Sequence, residues 1–591
     1  MRRRLPVLAA ALALLAAGPA LAARPAPAYA PIQPTAAAQA RTIVLNGHDL
    51  TVDDVMAVAR DGAKVRFSPA AIAQAEAGRG LLAQGNAEGL AIYGVNRGAG
   101  ALREVQTQRT QQAESGRTGD GGGARFGALP EIDEEALVRA FLVIQANHIP
   151  YNAATADYMT MICELLNRRV TPVMYARGSI GEGDLMLTSN FQATMGGRGD
   201  AYFAGQRMPA AQALQRAGLQ PLQGPTGGGT TNAYATALAL MLVDEGREAL
   251  EWADLTLAID LTAMNSSVTP LTPIVQARRP FAWVNWEADK LLGILRGGYL
   301  MQDDAHRVLQ DPESLRAAHI RLGSTWQAWA DLRDAVTIQM NSGEQNPVIV
   351  LDAKPTDAWV LATPWVAKYH VNGGPLSNGR SGYVLSNANW DPYPMTNEVE
   401  AFNLAFANMA VTVANRIERF SDRTPTPFFT GVNPSEVMSA EDKRLAPYEA
   451  EAFFTYLDVW KELQTLTQSV PPDSSSSDNG VADLEAMSRL KAARGRQAVD
   501  LFVQLMGYDL TAATYWLDVR RIQDPKREFG QPVTAAWTAL RKVLPWRQEP
   551  SQRADLPFGV IAYDFIAAHP ARTFTGSPPP MPATLPLPAA R

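Results

Sequence analysis

The sequence predicts a mainly α-helical protein, with a long central helical bundle and a small α/β region on its N-terminal side. Apolar residues recur with the helical period over 133–148, 154–168, 231–248, 313–342, 396–421, 447–469 and 483–515. Several of these runs exceed twenty residues, and 313–342 and 396–421 contain no proline or glycine apart from Gly323. Helices of that length need apolar partners along their whole extent, which is the condition for a bundle. Over 42–90, by contrast, short apolar patches alternate with Gly and Asp, the pattern of a small α/β unit.

The segments follow in order. Arg2, Arg3 and Arg4 precede an apolar run from Leu5 to Ala17, then Gly18-Pro19 and Ala20-Leu21-Ala22. Charge, apolar core and an A-x-A end predict a signal peptide over 1–22, and so a secreted or periplasmic protein with no membrane attachment after cleavage. The competing reading, an uncleaved anchor, is disfavoured because the run is short for a bilayer. Residues 23–40, rich in Ala and Pro, are expected to be a disordered linker. The N-terminal α/β region spans 41–230 and includes the glycine-rich loop Tyr93 to Gly100. A second glycine-rich stretch, 106–128, reads equally as a lid or as plain disorder. The central bundle takes 231–520, interrupted by a loop at Pro471-Pro472 and Ser474 to Ser477. A C-terminal extension covers 521–573, and the proline-rich tail 574–591 is expected to be unstructured.

Composition narrows the function classes. The chain has 591 residues and a net charge of -6, with no basic stripe, which argues against nucleic acid as a partner. The single cysteine, Cys163, lies in an apolar helical pattern and cannot form an intrachain disulfide, so a buried thiol is expected. The six histidines, His48, His148, His306, His319, His370 and His569, show no paired ligand spacing, so no metal is expected. Gly227-Gly228-Gly229 precedes a helix but lacks the lysine of a phosphate loop.

Several separated motifs carry a more specific signal. Arg177-Gly178-Ser179-Ile180-Gly181-Glu182-Gly183-Asp184-Leu185 is followed by Gly196-Gly197-Arg198-Gly199-Asp200 and by Met208-Pro209-Ala210-Ala211-Gln212-Ala213-Leu214. Tyr93-Gly94-Val95-Asn96 with Gly98 and Gly100 lies upstream. Gln310-Asp311-Pro312-Glu313-Ser314-Leu315-Arg316, Asn341-Ser342 with Asn346-Pro347, and Ser386-Asn387-Ala388-Asn389-Trp390 lie downstream. Each string is weak alone. In this order, across roughly 45–515, they resemble the histidine/phenylalanine (aromatic amino acid) ammonia-lyase family.

The resemblance implies an ammonia-lyase/fumarase-like helical subunit and a homotetramer whose sites draw on several subunits. It also implies a small amino or carboxylic acid substrate. In the family an electrophile, the MIO group, forms by cyclisation of Ala-Ser-Gly, and a tyrosine removes the β-proton. Here Glu182 stands where Ala-Ser would be and the segment is one residue shorter, so no serine remains to lose water. Ser179 belongs to the part of the motif outside the ring. The expectation is a member without the MIO cofactor.

By the same resemblance Tyr93 is the base, Arg316 grips the substrate carboxylate, and Asn346 and Asn389 line the cavity. Asn232, within Thr230-Thr231-Asn232-Ala233-Tyr234, occupies the region of the family's Asn-Gly-Thr. Glu313 replaces the tyrosine of Gln-Asp-x-Tyr-Ser-Leu-Arg. Glu182, with Asp184 two residues on, suits acid–base work, or equally the capping of the next helix. For the other candidates the plainer alternatives are a tyrosine packed on its loop, a surface arginine and structural Asn turns. Two functions follow: a carbon–nitrogen lyase, or related elimination or proton-transfer enzyme, working without MIO, or a non-catalytic homologue that binds a small molecule.

Overall fold

The computed structural model describes residues 29–106, 127–181, 183–223, 231–421, 434–445, 452–471, 478–549 and 556–583. The signal peptide expected over 1–22, Glu182, Gly227-Gly228-Gly229, most of 106–128 and Ser474 to Ser477 lie outside these.

The α/β region begins with β1 (Thr42–Leu45), α1 (Val52–Ala59), β2 (Lys64–Phe67) and α2 (Pro69–Ala87). β1 and β2 pair in parallel, and each buries alternate residues, as a strand with one covered face must. The start of α1 is a capping box in which Thr51 and Asp54 satisfy each other's backbone amides. β3 (Ala128–Glu131), α3 (Glu135–His148), α4 (Ala156–Asn167), β4 (Val170–Pro172), β5 (Tyr175–Arg177) and α5 (Leu185–Met195) follow. β6 (Asp200–Phe203) and β7 (Gln206–Pro209) complete an antiparallel sheet of order β4-β6-β7.

The linker expectation for 23–40 needs correction. Residues 29–40 are docked: the Tyr29 ring stacks on Tyr202 at 3.7 Å, and Ile32 is buried with its amide donating to Glu135 Oε2 at 3.0 Å. A short helix, Ala36–Gln39, follows. The composition is that of a linker, but two apolar anchors suffice to pin it.

The bundle is built from α6 (Ala233–Met264), α7 (Ala282–Leu295), α8 (Ala318–Met340), α9 (Tyr393–Ser421), α10 (Ala452–Leu466) and α11 (Ser488–Gln523). α6 is buried on nearly every face, including its acidic residues Asp254 and Asp260, and it packs on α3, α8 and α11. α8 runs antiparallel to α6, since Trp326 Nε1 donates to Asp254 and Trp329 Nε1 to the Val243 carbonyl. Two buried basic groups inside the bundle are paired with carboxylates. Arg416 lies between Asp260 and Asp509, and Lys290 meets Asp254 beneath the rings of Trp286 and Trp326.

The helical run expected over 313–342 is two helices. A short one, Glu313–Arg316, ends at Ala317, whose ψ of 1° is not helical, before α8 begins. No glycine or proline marks the break. It leaves the Ser314 carbonyl 3.5 Å from Arg416 Nη1, so the packed bundle supplies a partner there. Gly323, the only break candidate inside α8, instead marks a helix crossing. A Cβ there would lie 2.7 Å from the Trp283 carbonyl oxygen and 2.8 Å from Val284 Cα, both backbone atoms of α7. Gly323→Ala is therefore expected to cost about 1–3 kcal/mol by forcing the two helices apart, read as a lowered denaturation midpoint.

Beyond the bundle lie α12 (Gln531–Val543) and α13 (Phe558–Ala568). The tail expectation is corrected for 574–583: Phe574 is buried, and the Pro579 carbonyl accepts from Trp286 Nε1 at 3.2 Å. A separate antiparallel sheet, β8 (Val348–Leu351), β9 (His370–Val371) and β10 (Gly382–Leu385), lies against α2. No helix among the described residues is long and apolar enough to cross a membrane.

Candidate active site

The loop 177–184 ends on the N-terminus of α6. Gly178, Gly181 and Gly183 have φ of 129°, 97° and 87°, values that an L side chain resists. Gly181 is also hemmed in, because a Cβ there would meet Ala486 Cβ at 2.8 Å, and Met487 N donates to the Ile180 carbonyl at 2.9 Å. The residues leading into α11 thus hold one side of the loop.

Asp184 closes the loop with a left-handed φ of 38° and a side chain out of solvent. Its Oδ2 accepts from the amides of Tyr234 at 2.7 Å and Ala235 at 3.0 Å, and Oδ1 accepts from Ser179 Oγ. Those amides belong to the first turn of α6, which has no intrahelical acceptor for them, and the helix dipole favours an acidic group there. Burial nevertheless pushes the Asp184 carboxyl up to about 6, against the pull of these donors.

Asn232, one residue before α6, is fully buried and ties three segments together. Its Oδ1 accepts from Gly183 N at 2.9 Å, its Nδ2 donates to the Trp390 carbonyl, and its amide donates to Glu344 Oε2 at 2.6 Å. Glu344 also accepts from Gln339 Nε2, and burial raises its carboxyl to about 7. His148, the last residue of α3, lies with Nε2 3.1 Å from the Gln339 carbonyl and Nδ1 3.8 Å from Glu344 Oε2. Burial lowers its pKa to about 4, so the ring is neutral.

The Asn turns frame this cluster. Asn346 Oδ1 accepts from Asn387 N at 3.2 Å, and Asn387 Oδ1 accepts from Asn389 N at 2.8 Å. Asn346 is half-buried and holds the 386–390 turn, while Asn389 is exposed. Tyr93 is half-buried on its glycine-rich turn, with Oη accepting from Gly100 N at 3.1 Å. The turn Gly100–Leu102 touches Asp478–Gly480, on the approach to α11, which brings the tyrosine loop to this end of the bundle.

Arg316 and Glu313 are elsewhere. They precede α8, whereas Glu344 follows it, and a helix of 23 residues separates the two ends by about 34 Å. Arg316 Nη2 meets exposed Glu313 at 3.3 Å, and its buried Nε has no partner. One subunit therefore gathers Tyr93, Asp184, Asn232, Asn346 and Asn389 at one end, but not Arg316 or Glu313. Sequence reasoning missed Glu344 and His148, because a lone Glu in Asn-Ser-x-x-x-Asn-Pro and a lone His carry no spacing signal. Among the described residues no group of three or more acidic, His or Cys side chains is placed to hold a metal.

Long antiparallel helices with irregular loops gathered at one end give a fold shared with solved ammonia-lyases. Residues 50–542 match the family model for aromatic amino acid lyase, and the chain belongs to that family. It is a carbon–nitrogen lyase of the ammonia-lyase type, and the family acts on small amino acids. The histidine ammonia-lyase of Stigmatella aurantiaca is 26% identical over 512 residues, covering 85% of this chain and 92% of its own length. An ergothionase from Treponema denticola, an ergothioneine-degrading enzyme solved in complex with desmethyl-ergothioneine sulfonic acid, superposes with a TM-score of 0.75. It is 22% identical, covering 89% of this chain and 99% of its own. The histidine ammonia-lyase of Trypanosoma cruzi gives a TM-score of 0.72 at 17% identity, with coverage of 90% and 95%.

Proposed function

We propose that this protein is an exported lyase that eliminates an amine from a small amino-acid-derived acid without an MIO group. The carrying observation is Gly181-Glu182-Gly183-Asp184, which offers no serine to dehydrate. The nearby Ser179 is engaged with Asp184, outside the segment that would cyclise. The residues present do not fit the ring, so the elimination proceeds without it.

Without an electrophile, a free ammonium is a poor leaving group, and the barrier rises by many kilocalories. A quaternary ammonium has no N–H for a base to remove, so it keeps its positive charge until it departs as a tertiary amine. Ergothioneine, which the Treponema denticola relative degrades, is a betaine of this kind. We extend that substrate class, betaines of aromatic amino acids, to this chain. Tyr93 oxygen takes the β-proton, the C–H pair becomes the Cα=Cβ bond, and the Cα–N pair leaves with the amine. The Gly100 amide donates to Tyr93 Oη at 3.1 Å and holds the phenol on its loop. Glu182 is the second acid–base candidate.

Arg316 grips the carboxylate from a neighbouring subunit of a homotetramer, since its own chain holds it at the far end of α8. The signal peptide places the enzyme in the periplasm or outside the cell.

The test is a substrate panel. Mature protein is expected to release trimethylamine from an aromatic betaine and no ammonia from histidine or phenylalanine, followed by mass spectrometry. Ammonia release from a free amino acid, together with an intact mass short by one water, would overturn the proposal. A ligand bound without turnover across the panel would favour the non-catalytic homologue.

A further inference from the structure

Glu344 and His148, both fully buried, face each other beside Asn232, and the elimination above uses neither. The tautomer of His148 follows from its partner: the Gln339 carbonyl only accepts, so Nε2 carries the hydrogen. Nδ1 is then a bare lone pair, buried and without a hydrogen-bond partner, 3.8 Å from Glu344 Oε2. An ionised Glu344 sets oxygen lone pairs against that nitrogen. A protonated Glu344 turns the same contact into a donor facing an acceptor. The donors from Asn232 and Gln339 are satisfied in either case, because both oxygens of a neutral carboxyl still accept.

We propose that Glu344 is a positioning residue that works as a neutral acid, directing its proton at His148 Nδ1 while its oxygens hold the Asn232 amide. Asn232 in turn joins Gly183 to Trp390, so this proton fixes two loops of the site. The proposal deepens the site assignment above, but it does not depend on the substrate. The titratable groups around Glu344 are His148 on α3 and Asp184 on the 177–184 loop, and an ionised Glu344 raises the Asp184 carboxyl further. Burial acts in the same sense on the pair, raising Glu344 to about 7 and lowering His148 to about 4.

Folding raises the proton affinity of Glu344 above its unfolded value near 4.3, so its stabilisation is complete at low pH and fades as pH rises through about 7. Thermal unfolding of the full chain as wild type and Glu344→Gln, from pH 5 to pH 9, reads this directly. The Gln amide cannot ionise, but it has one oxygen where the carboxyl accepts on two, so either Asn232 N or Gln339 Nε2 loses its acceptor at every pH. Glu344→Gln should lie below wild type at pH 5 and gain about 2–4 °C relative to it by pH 9, whereas the lost acceptor alone would give a constant offset. A Tm difference between Glu344→Gln and wild type that stays flat with pH would overturn the proposal. No substrate enters this readout, so a failed betaine assay leaves it standing.

Discussion

Asp184→Ala is expected to lower the free energy of unfolding by about 3–5 kcal/mol and to disorganise the candidate site. The change removes the acceptor for three donors: Ser179 Oγ and the amides of Tyr234 and Ala235. Each buried donor left unmade costs about 1–3 kcal/mol, less what is recovered by no longer burying a carboxyl. The amides have no alternative within α6, because a helix leaves its first-turn N–H groups unsatisfied. Asp184→Asn keeps one oxygen and should lose less than half as much. The two variants separate the acceptor from the charge, and denaturant unfolding measures both. Folding raises the Asp184 carboxyl to about 6, above its unfolded value near 3.9, so its contribution is complete below about pH 4 and declines as pH rises through about 6. The Asp184→Asn penalty should therefore be smaller at pH 8 than at pH 4. A penalty that grows with pH would show that the ionised form is the one the fold prefers.

Tyr93→Phe is expected to lower kcat by about 10²–10⁴-fold, the usual contribution of a positioned base. Arg316→Gln should act mainly through KM, because a bidentate carboxylate grip is lost while the chemistry at the other end of the substrate is untouched. The stronger experiment mixes the two variants. Tyr93 shares an end of the bundle with Asp184 and Asn232, whereas Arg316 is about 34 Å away along α8, so only another subunit can bring it in. At substrate concentrations well below KM, random co-assembly of the two impaired chains should then restore about a quarter of the sites, since each intact site needs a Tyr93 from one variant and an Arg316 from the other. No recovery in verified mixed oligomers would remove Arg316 from the site and with it the argument for a shared one.

Much of the fold was legible because long helices announce themselves locally. The runs at 133–148, 396–421 and 483–515 correspond to α3, α9 and α11 within a few residues at most ends, and α11 extends eight residues further. The site was legible only where glycine clusters and asparagine turns recorded special backbone geometry, as at Gly181, Gly183 and Asn346. Other features left no local trace. The break at Ala317 has no glycine or proline, and the docking of Tyr29 and Ile32 depends on Tyr202 and Glu135, more than one hundred residues away.

By itself, then, the order of residues determined the helical architecture, the family and the absence of a serine between Gly181 and Asp184, since periodicity, motif order and covalent composition are properties of the chain alone. Tertiary structure decided which groups meet. It put Glu344 against His148 and Asn232, turned Asp184 onto the first amides of α6, and sent Arg316 to the opposite end of α8. The physical reason is burial: a carboxyl's proton affinity and a donor's partner depend on the solvent excluded around them, and that exclusion comes from segments far apart in sequence.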